Sequence, residues 1–381
     1  MQRLSRKPRW NWKREVEALG LVWNTLENGE PYWDESVYYR FTAGQIDQIE
    51  EATAELQRLC LVAGQHIIDH GLFGRLGIPE AAVPYIRRAW NDEPPALGHG
   101  RFDLAYDGVH PPKMLEYNAD TPTALLEAAV IQWAWKEAAF PRADQFNSIH
   151  ERLVRKWKDI RARLKTNLVH FTHVDDGSGE DTMTVTYLRD TAQEAGLDTV
   201  GIIIDDVGWD TESRCFADQV GLPIDNLFHL YPWEWLVGEA FAENIWETWD
   251  RMFWIEPIWK MLWSNKGLLA ILWELFPGHR NLLEARLGDP GRMKDYVKKP
   301  LLAREGANVS LVVHGDQVLS TPGDYGEEGY VYQRWYPIPE HDGRYPVLGS
   351  WIVDGEPAGM GIREGGLITG NRSHFVPHIF E

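Results

Sequence analysis

The 381 residues carry a formal charge of −19 and are 44% hydrophobic, enough for one large core or two to three ordinary domains. Such acidity argues against nucleic acid as a partner and suits a cationic one such as an amine. Cys60 and Cys215 are the only cysteines, too few for a disulfide framework or a thiolate metal site. The basic start, MQRLSRKPRWNWKREVE, is followed by no apolar run, and no stretch approaches a spanning length of about 18 apolar residues. A cytoplasmic chain without membrane contact is expected.

Residues 1 to 41 mix aromatics and charge without a sustained period and read as an irregular arm with short helical pieces. Thr42-Ala-Gly-Gln45 is a capping box, after which Ile46, Ile49, Thr53, Leu56, Cys60, Ala63 and Ile67 recur at helical spacing to about His70. A shorter helical piece from Pro84 to Trp90 leads through the breaker-rich NDEPPALGHG to Arg101. RFDLAYD and MLEYNAD then alternate on either side of a GVHPPK turn, which predicts a β-hairpin, with Thr121-Pro122 opening a helix from Thr123 to about Phe140. A second helix is expected between Gln145 and Lys165.

Asn167 to His173 reads as a strand, Thr182 to Ala195 as a helix and Leu197 to Ile204 as a buried strand. This βαβ order implies parallel pairing, and ligand contacts commonly fall in the loop after such a first strand, here Asp175 to Asp181. Eight of the 19 tryptophans lie between Trp233 and Trp273, and most are expected to pack the core, with a cation-π seat as the alternative. IWKMLWS, a break at Ser264-Asn265 and a helix ended by Pro277-Gly278 put Lys266 at a helix start, where a cation is misplaced unless it meets phosphate. From Asp295 the chain turns to β structure, with Lys299 ending one strand, a small-residue loop from Ala303 to Ser310, the YVYQRW strand and a closing GSWIVDGEPAGMGIRE hairpin.

The chemistry concentrates in the first hairpin. Alternation puts Arg101 and Asp103 on one face of one strand, and Glu116, Asn118 and Asp120 on one face of the other. If the faces coincide, hard oxygen ligands meet a guanidinium, the donor set of Mg²⁺ and a phosphoryl group; the alternative is a solvated acidic hairpin.

Taken together, RFDLAYD, MLEYNADTPTALLEAA, EPIWKMLWSNK, VKKPLLAREGANVS, YVYQRW, GSWIVDGEPAGMGIRE and FVPHIF resemble the synthetase half of glutathionylspermidine synthase and its free-standing relatives. These are acid–amine ligases with an ATP-grasp-type nucleotide fold. The resemblance implies an α/β (α+β) fold: a helical amino-terminal region (1–98), a metal-binding hairpin with its helices (99–166), a small βαβ substrate domain (167–245) and nucleotide-binding segments (246–381). It implies ATP and Mg²⁺, with Asp103, Glu116 and Asn118 as metal ligands and Arg101 steadying the transferred phosphoryl group. Lys266 and Lys299 match the nucleotide lysines, Gly306 the phosphate lid and Gln333 the adenine hinge, while Arg363 and the GLIT strand near Ile368 close the pocket. Thr121 and Thr123 fall near the acid substrate, Glu180 and Asp181 near a polyamine-like amine. No amidase segment precedes the ligase part, so conjugate hydrolysis is not expected. A small-molecule kinase and a non-catalytic nucleotide or polyamine binder are the other readings, and oligomeric state is left open.

Overall fold

The computed structural model describes residues 1–175, 177, 179–370 and 373–381. Two five-stranded antiparallel sheets frame the molecule's main cleft. The first runs His374–Val376, Glu356–Gly365, Tyr345–Val353, Gly100–Ala105, Lys113–Asn118, so the predicted hairpin is zipped to the carboxyl-terminal one. The second runs Ala285–Leu287, Tyr330–Arg334, Tyr296–Pro300, Ser310–Val313, Asp316–Ser320.

The helix Ala43–His70 packs its apolar stripe against the first sheet, and each of the seven positions expected to face inward is buried. It begins at the predicted capping box, with both reciprocal hydrogen bonds made, and stops at Gly71 in the left-handed conformation. A four-stranded parallel sheet, ordered Phe253–Ile255, Asn226–Leu230, Leu168–His173, Asp198–Ile203, forms a separate layer. The helix Glu180–Glu194 connects its Leu168–His173 and Asp198–Ile203 strands as the βαβ order requires.

The fold departs from the sequence expectation in four places. The arm of residues 1 to 41 contains one helix, Trp12–Ala18, but also the strands Gln2–Ser5 and Val37–Phe41, which pair with each other. His378–Phe380 completes that sheet, a partner more than 300 residues away that no local pattern reveals. Asp198–Ile203 is an edge strand, largely half-exposed, whereas its neighbour Leu168–His173 is the buried one. Thr121-Pro122 opens no helix: Ala124 has φ +61°, and helical backbone begins only at 125, with a π-helical turn over Glu127–Ile131. Finally, the GLIT segment, Gly366 to Thr369, is bend and coil rather than strand, because the Glu356–Gly365 strand ends before it.

Among the described residues no helix is long and apolar enough to cross a membrane. Of the tryptophan-rich stretch, Trp233, Trp254 and Trp263 are buried, but Trp235 keeps an exposed ring.

Candidate active site

The hairpin register sets Arg101 directly opposite Asn118 and Asp103 opposite Glu116, so their side chains share one face. Leu104 pairs with Met114, leaving Leu115 as an extra residue in a bulge. The unpaired Leu115 carbonyl accepts a hydrogen bond from Lys299 Nζ at 2.9 Å. Arg101 lies flat in the sheet: its Nε donates to Asp103 Oδ1 at 2.8 Å, and another nitrogen donates to the Thr123 carbonyl. Gly349 makes this possible, since a Cβ there would come within 2.7 Å of Arg101 Cδ. Arg363, two strands away across Tyr345–Val353, donates to Asp103 Oδ2 at 2.6 Å.

Between the two five-stranded sheets lies a slot of about 860 Å³ including its mouth. Asp103, Leu115, Glu116 and Val347 line it from one sheet, and Val297, Lys299, Leu311 and Gln333 from the other. Its walls are apolar at one end and cationic at the other. Lys266 lies 3.1 Å from Glu116 and donates to the Ala303 carbonyl at 2.7 Å. Burial alone would raise the Glu116 pKa, yet Lys266 and Lys299 hold it well below the usual carboxylate range. Burial, aided by Lys266, lowers Lys299 to about 8.

Gln333 lines the slot. Its main chain is committed to pairing with Val297 and Ala285, while its side chain accepts from Lys299 and donates to the Met114 carbonyl. The run after it, Arg334 to Tyr336, borders the slot.

A larger chamber of about 1480 Å³ adjoins the slot through shared walls at Glu116, Lys266, Ala303, Gly306 and Thr369. Arg101, Asn118, Thr121, Thr123, Glu180, Asp181 and Arg363 face it, and Ile368 lines the slot beside Gly306. All fourteen sequence-predicted site residues therefore converge, drawn from segments as far apart as Arg101 and Ile368. Burial raises the Glu180 pKa against the opposing effects of a hydrogen bond to Thr123 and the charge of Arg363. Of the Asp175 to Asp181 loop, Asp176 and Ser178 lie outside the described residues.

Gly306 has φ +71°, and a Cβ there would meet the Thr369 carbonyl oxygen at 2.7 Å. The small-residue loop can thus rest against the 366–370 segment only with glycine at this point.

Sequence reasoning missed five chamber residues. Trp23 and Tyr32 enter from the amino-terminal arm, and the Tyr32 hydroxyl donates to buried Glu127 at 2.7 Å. Glu234 and Trp235 come from the short helix Trp233–Leu236, and Arg304 from the small-residue loop. The signal available for Arg304 was a cation immediately before a glycine-bearing turn.

Asp103, Glu116 and Asn118 offer two carboxylates and an amide on one sheet face, the oxygen donors a hard dication requires. The buried Asn118 amide nitrogen has no hydrogen-bond partner among the described residues, leaving a donor available to an anionic ligand such as a phosphate oxygen. No group of three or more His, Cys, Asp or Glu able to hold a metal occurs among the described residues, so a dication would depend on Asn118 and on phosphate oxygens. Four cations, Arg101, Lys266, Lys299 and Arg363, surround the two carboxylates, an excess suited to a polyphosphate.

This architecture, two antiparallel sheets closing on a cation-ended slot, is that of an ATP-grasp-type enzyme. The profile of the family described as glutathionylspermidine synthase preATP-grasp matches residues 3–381, and the chain belongs to that family. A Haemophilus influenzae protein named "Putative acid--amine ligase" is 42% identical over 365 residues, covering 93% of this chain and 92% of its own. Trypanothione synthetase of Crithidia fasciculata is 30% identical over 329 residues, and the bifunctional glutathionylspermidine synthetase/amidase of Escherichia coli is 28% identical over 402. The chain spans 49% and 61% of the lengths of those two. Among solved structures, a glutathione synthetase-like effector from Globodera pallida superposes with a TM-score of 0.55 over 99% of this chain and 98% of its own, at 11% identity, which speaks to the fold alone. By family the chain is an amide-forming ligase, a class that uses ATP.

Proposed function

We propose that the chain joins a carboxylic acid to an amine at the expense of ATP, through an acyl phosphate. The observation that carries this reading is the shared wall: the cationic end of the slot opens through Glu116, Lys266 and Gly306 into a chamber lined by acids and hydroxyls. ATP would place its base among Val297, Leu311 and Tyr336 and its phosphates against Lys266 and Lys299. Mg²⁺ held by Asp103, Glu116 and Asn118 would neutralise the phosphates and polarise the transferred group.

The chain's own groups account for the remaining requirements. Arg101, fixed by Asp103 and the Thr123 carbonyl, points into the chamber, where the substrate carboxylate attacks the γ-phosphorus. Its charge and that of Arg363 would stabilise the phosphoryl oxygens in transfer. Thr121 and Thr123 supply hydroxyls for the acid substrate. Glu180 and Asp181, at the start of the Glu180–Glu194 helix, would hold ammonium groups of a polyamine-like amine. Attack requires a neutral amine, so the reacting nitrogen must lose its proton while any distal ammonium stays paired. An acyl phosphate must be kept from water, and the 303–310 loop, seated on the 366–370 segment at Gly306, is the element able to close.

The test is ADP release by the full chain with ATP and Mg²⁺ across a panel of peptides and other carboxylates crossed with amines, followed by mass spectrometry. ADP that requires both substrates, with a product lighter than their sum by one water, would establish the ligation. Phosphorylated product and no amide would replace this reading with a kinase. Chelation with EDTA abolishes turnover if the dication is required.

A further inference from the structure

We propose that Asp120, Glu234 and Trp235 form a seat for an ammonium group of the amine, and that Arg304 is the protein's own occupant of that seat. Arg304 projects from the loop between the Tyr296–Pro300 and Ser310–Val313 strands into the chamber. Its Nη2 donates to Glu234 at 2.9 Å, Nη1 donates to Thr121 Oγ1, and its guanidinium carbon lies 5.5 Å from the Trp235 ring centroid. Two carboxylates and an aromatic face around a cation are the components of an ammonium site.

Arg304 fills the seat without satisfying it. Asp120 is 1% exposed; Oδ2 accepts from the Trp233 amide at 2.9 Å, and Oδ1 has no hydrogen-bond partner among the described residues. Arg304 Nε is equally without one. A guanidinium donates only in its plane, whereas an ammonium directs three donors tetrahedrally and can serve Asp120 and Glu234 together. Thr121 follows Asp120 directly, and Asn118 stands two residues before it, so the seat lies beside the reacting centre rather than at a remote surface. Because Ala303 and Gly306 of the same loop wall the nucleotide slot, an amine that displaces Arg304 also releases the loop that closes over the phosphates.

This inference rests on the ligase reading for why an amine enters, but it can be tested by binding alone. The full chain is titrated calorimetrically with 1,4-diaminobutane, with neutral 1,4-butanediol as control and a non-hydrolysable ATP analogue titrated separately. Removing the competing guanidinium in Arg304→Met is expected to tighten the diamine roughly tenfold, the scale of one charge-assisted hydrogen bond. Adding Glu234→Gln or Asp120→Asn to that background should reverse the gain while analogue binding stays unchanged. Glu234, nearer the surface, serves if Asp120→Asn melts early. Diamine binding that is unchanged, weakened or undetectable in Arg304→Met overturns the proposal, as does a gain that survives both carboxylate substitutions. Either result with normal analogue binding leaves the ligase reading standing; failure of the analogue to bind strikes that reading instead.

Discussion

The slot and the chamber share a wall but are built on different principles. In the slot, apolar side chains from strands (Leu115, Val297, Leu311, Val347) and from the 335–338 run lie beside two lysines whose partners are backbone carbonyls, Gln333 and Glu116. In the chamber, strand residues Arg101, Asn118 and Arg363 stand beside loop and helix-start residues such as Thr121, Glu180, Glu234 and Arg304, and its cations face acids: Arg101 and Arg363 reach Asp103 at the slot, Arg304 meets Glu234, and Glu180 lies near both Arg101 and Arg363. A slot of the first kind holds one ligand whose shape and charge do not vary. A chamber of the second kind can be retuned for another acid or amine by single substitutions, since each charge is balanced locally. The contrast explains why the resemblance reads more clearly for the nucleotide than for the substrates.

Several substitutions would sharpen that contrast. The largest effect is expected from Arg101→Ala: turnover falls roughly a hundredfold or more, the scale of losing one transition-state donor, while analogue binding barely changes. Near-normal turnover would remove Arg101 from the chemistry and make it a strut for Asp103.

Lys299 should separate the slot from the chamber. Lys299→Met is expected to weaken the nucleotide about tenfold or more through loss of a charge-assisted bond, with little change in acid or amine affinity. Its pH dependence comes from the lowered pKa of about 8. Phosphate binds the protonated amine, so nucleotide affinity in the wild type is full below about pH 8 and declines above it; Lys299→Arg should flatten the profile. An unchanged decline in the arginine variant would assign it to another group.

Gly306→Ala puts a Cβ against the Thr369 carbonyl at a positive φ. Turnover should drop several-fold, and more ADP should appear per amide formed, as the loop seals less well. Tight coupling in that variant would deny the loop its role in excluding water.

The smallest effect concerns stability. Asp120 titrates near 7 in the fold and near 4 when unfolded, so between these values the folded chain binds more protons. This group therefore contributes stability at low pH that is lost as pH rises from about 4 to about 7, at most about 1.4 kcal/mol per pH unit. Thermal melts of Asp120→Asn against wild type should show the stability difference changing across that window and level on either side of it; a difference of constant size across it would mean that the carboxyl stays ionised.

The sequence alone determined the pieces whose causes are local. A capping box and a 3.6-residue stripe specified the long helix, alternation around a Pro-rich turn specified the hairpin, and the strand-helix-strand order specified parallel pairing. Alternation also put Asp103 beside Arg101 and Glu116 beside Asn118, because a strand's side-chain period requires it. What only the tertiary structure decided depended on partners distant in the chain. The arm's strands are ordered by residues at the opposite terminus. Ala124 ends up left-handed where the chain bends toward the guanidinium of Arg101. The Leu115 bulge turns a carbonyl to a lysine from another sheet. Arg304 reaches Glu234, 70 residues before it, across a chamber that does not exist until the sheets have met. Local periodicity encodes which face a residue presents; which groups meet across a cavity is set by long-range packing.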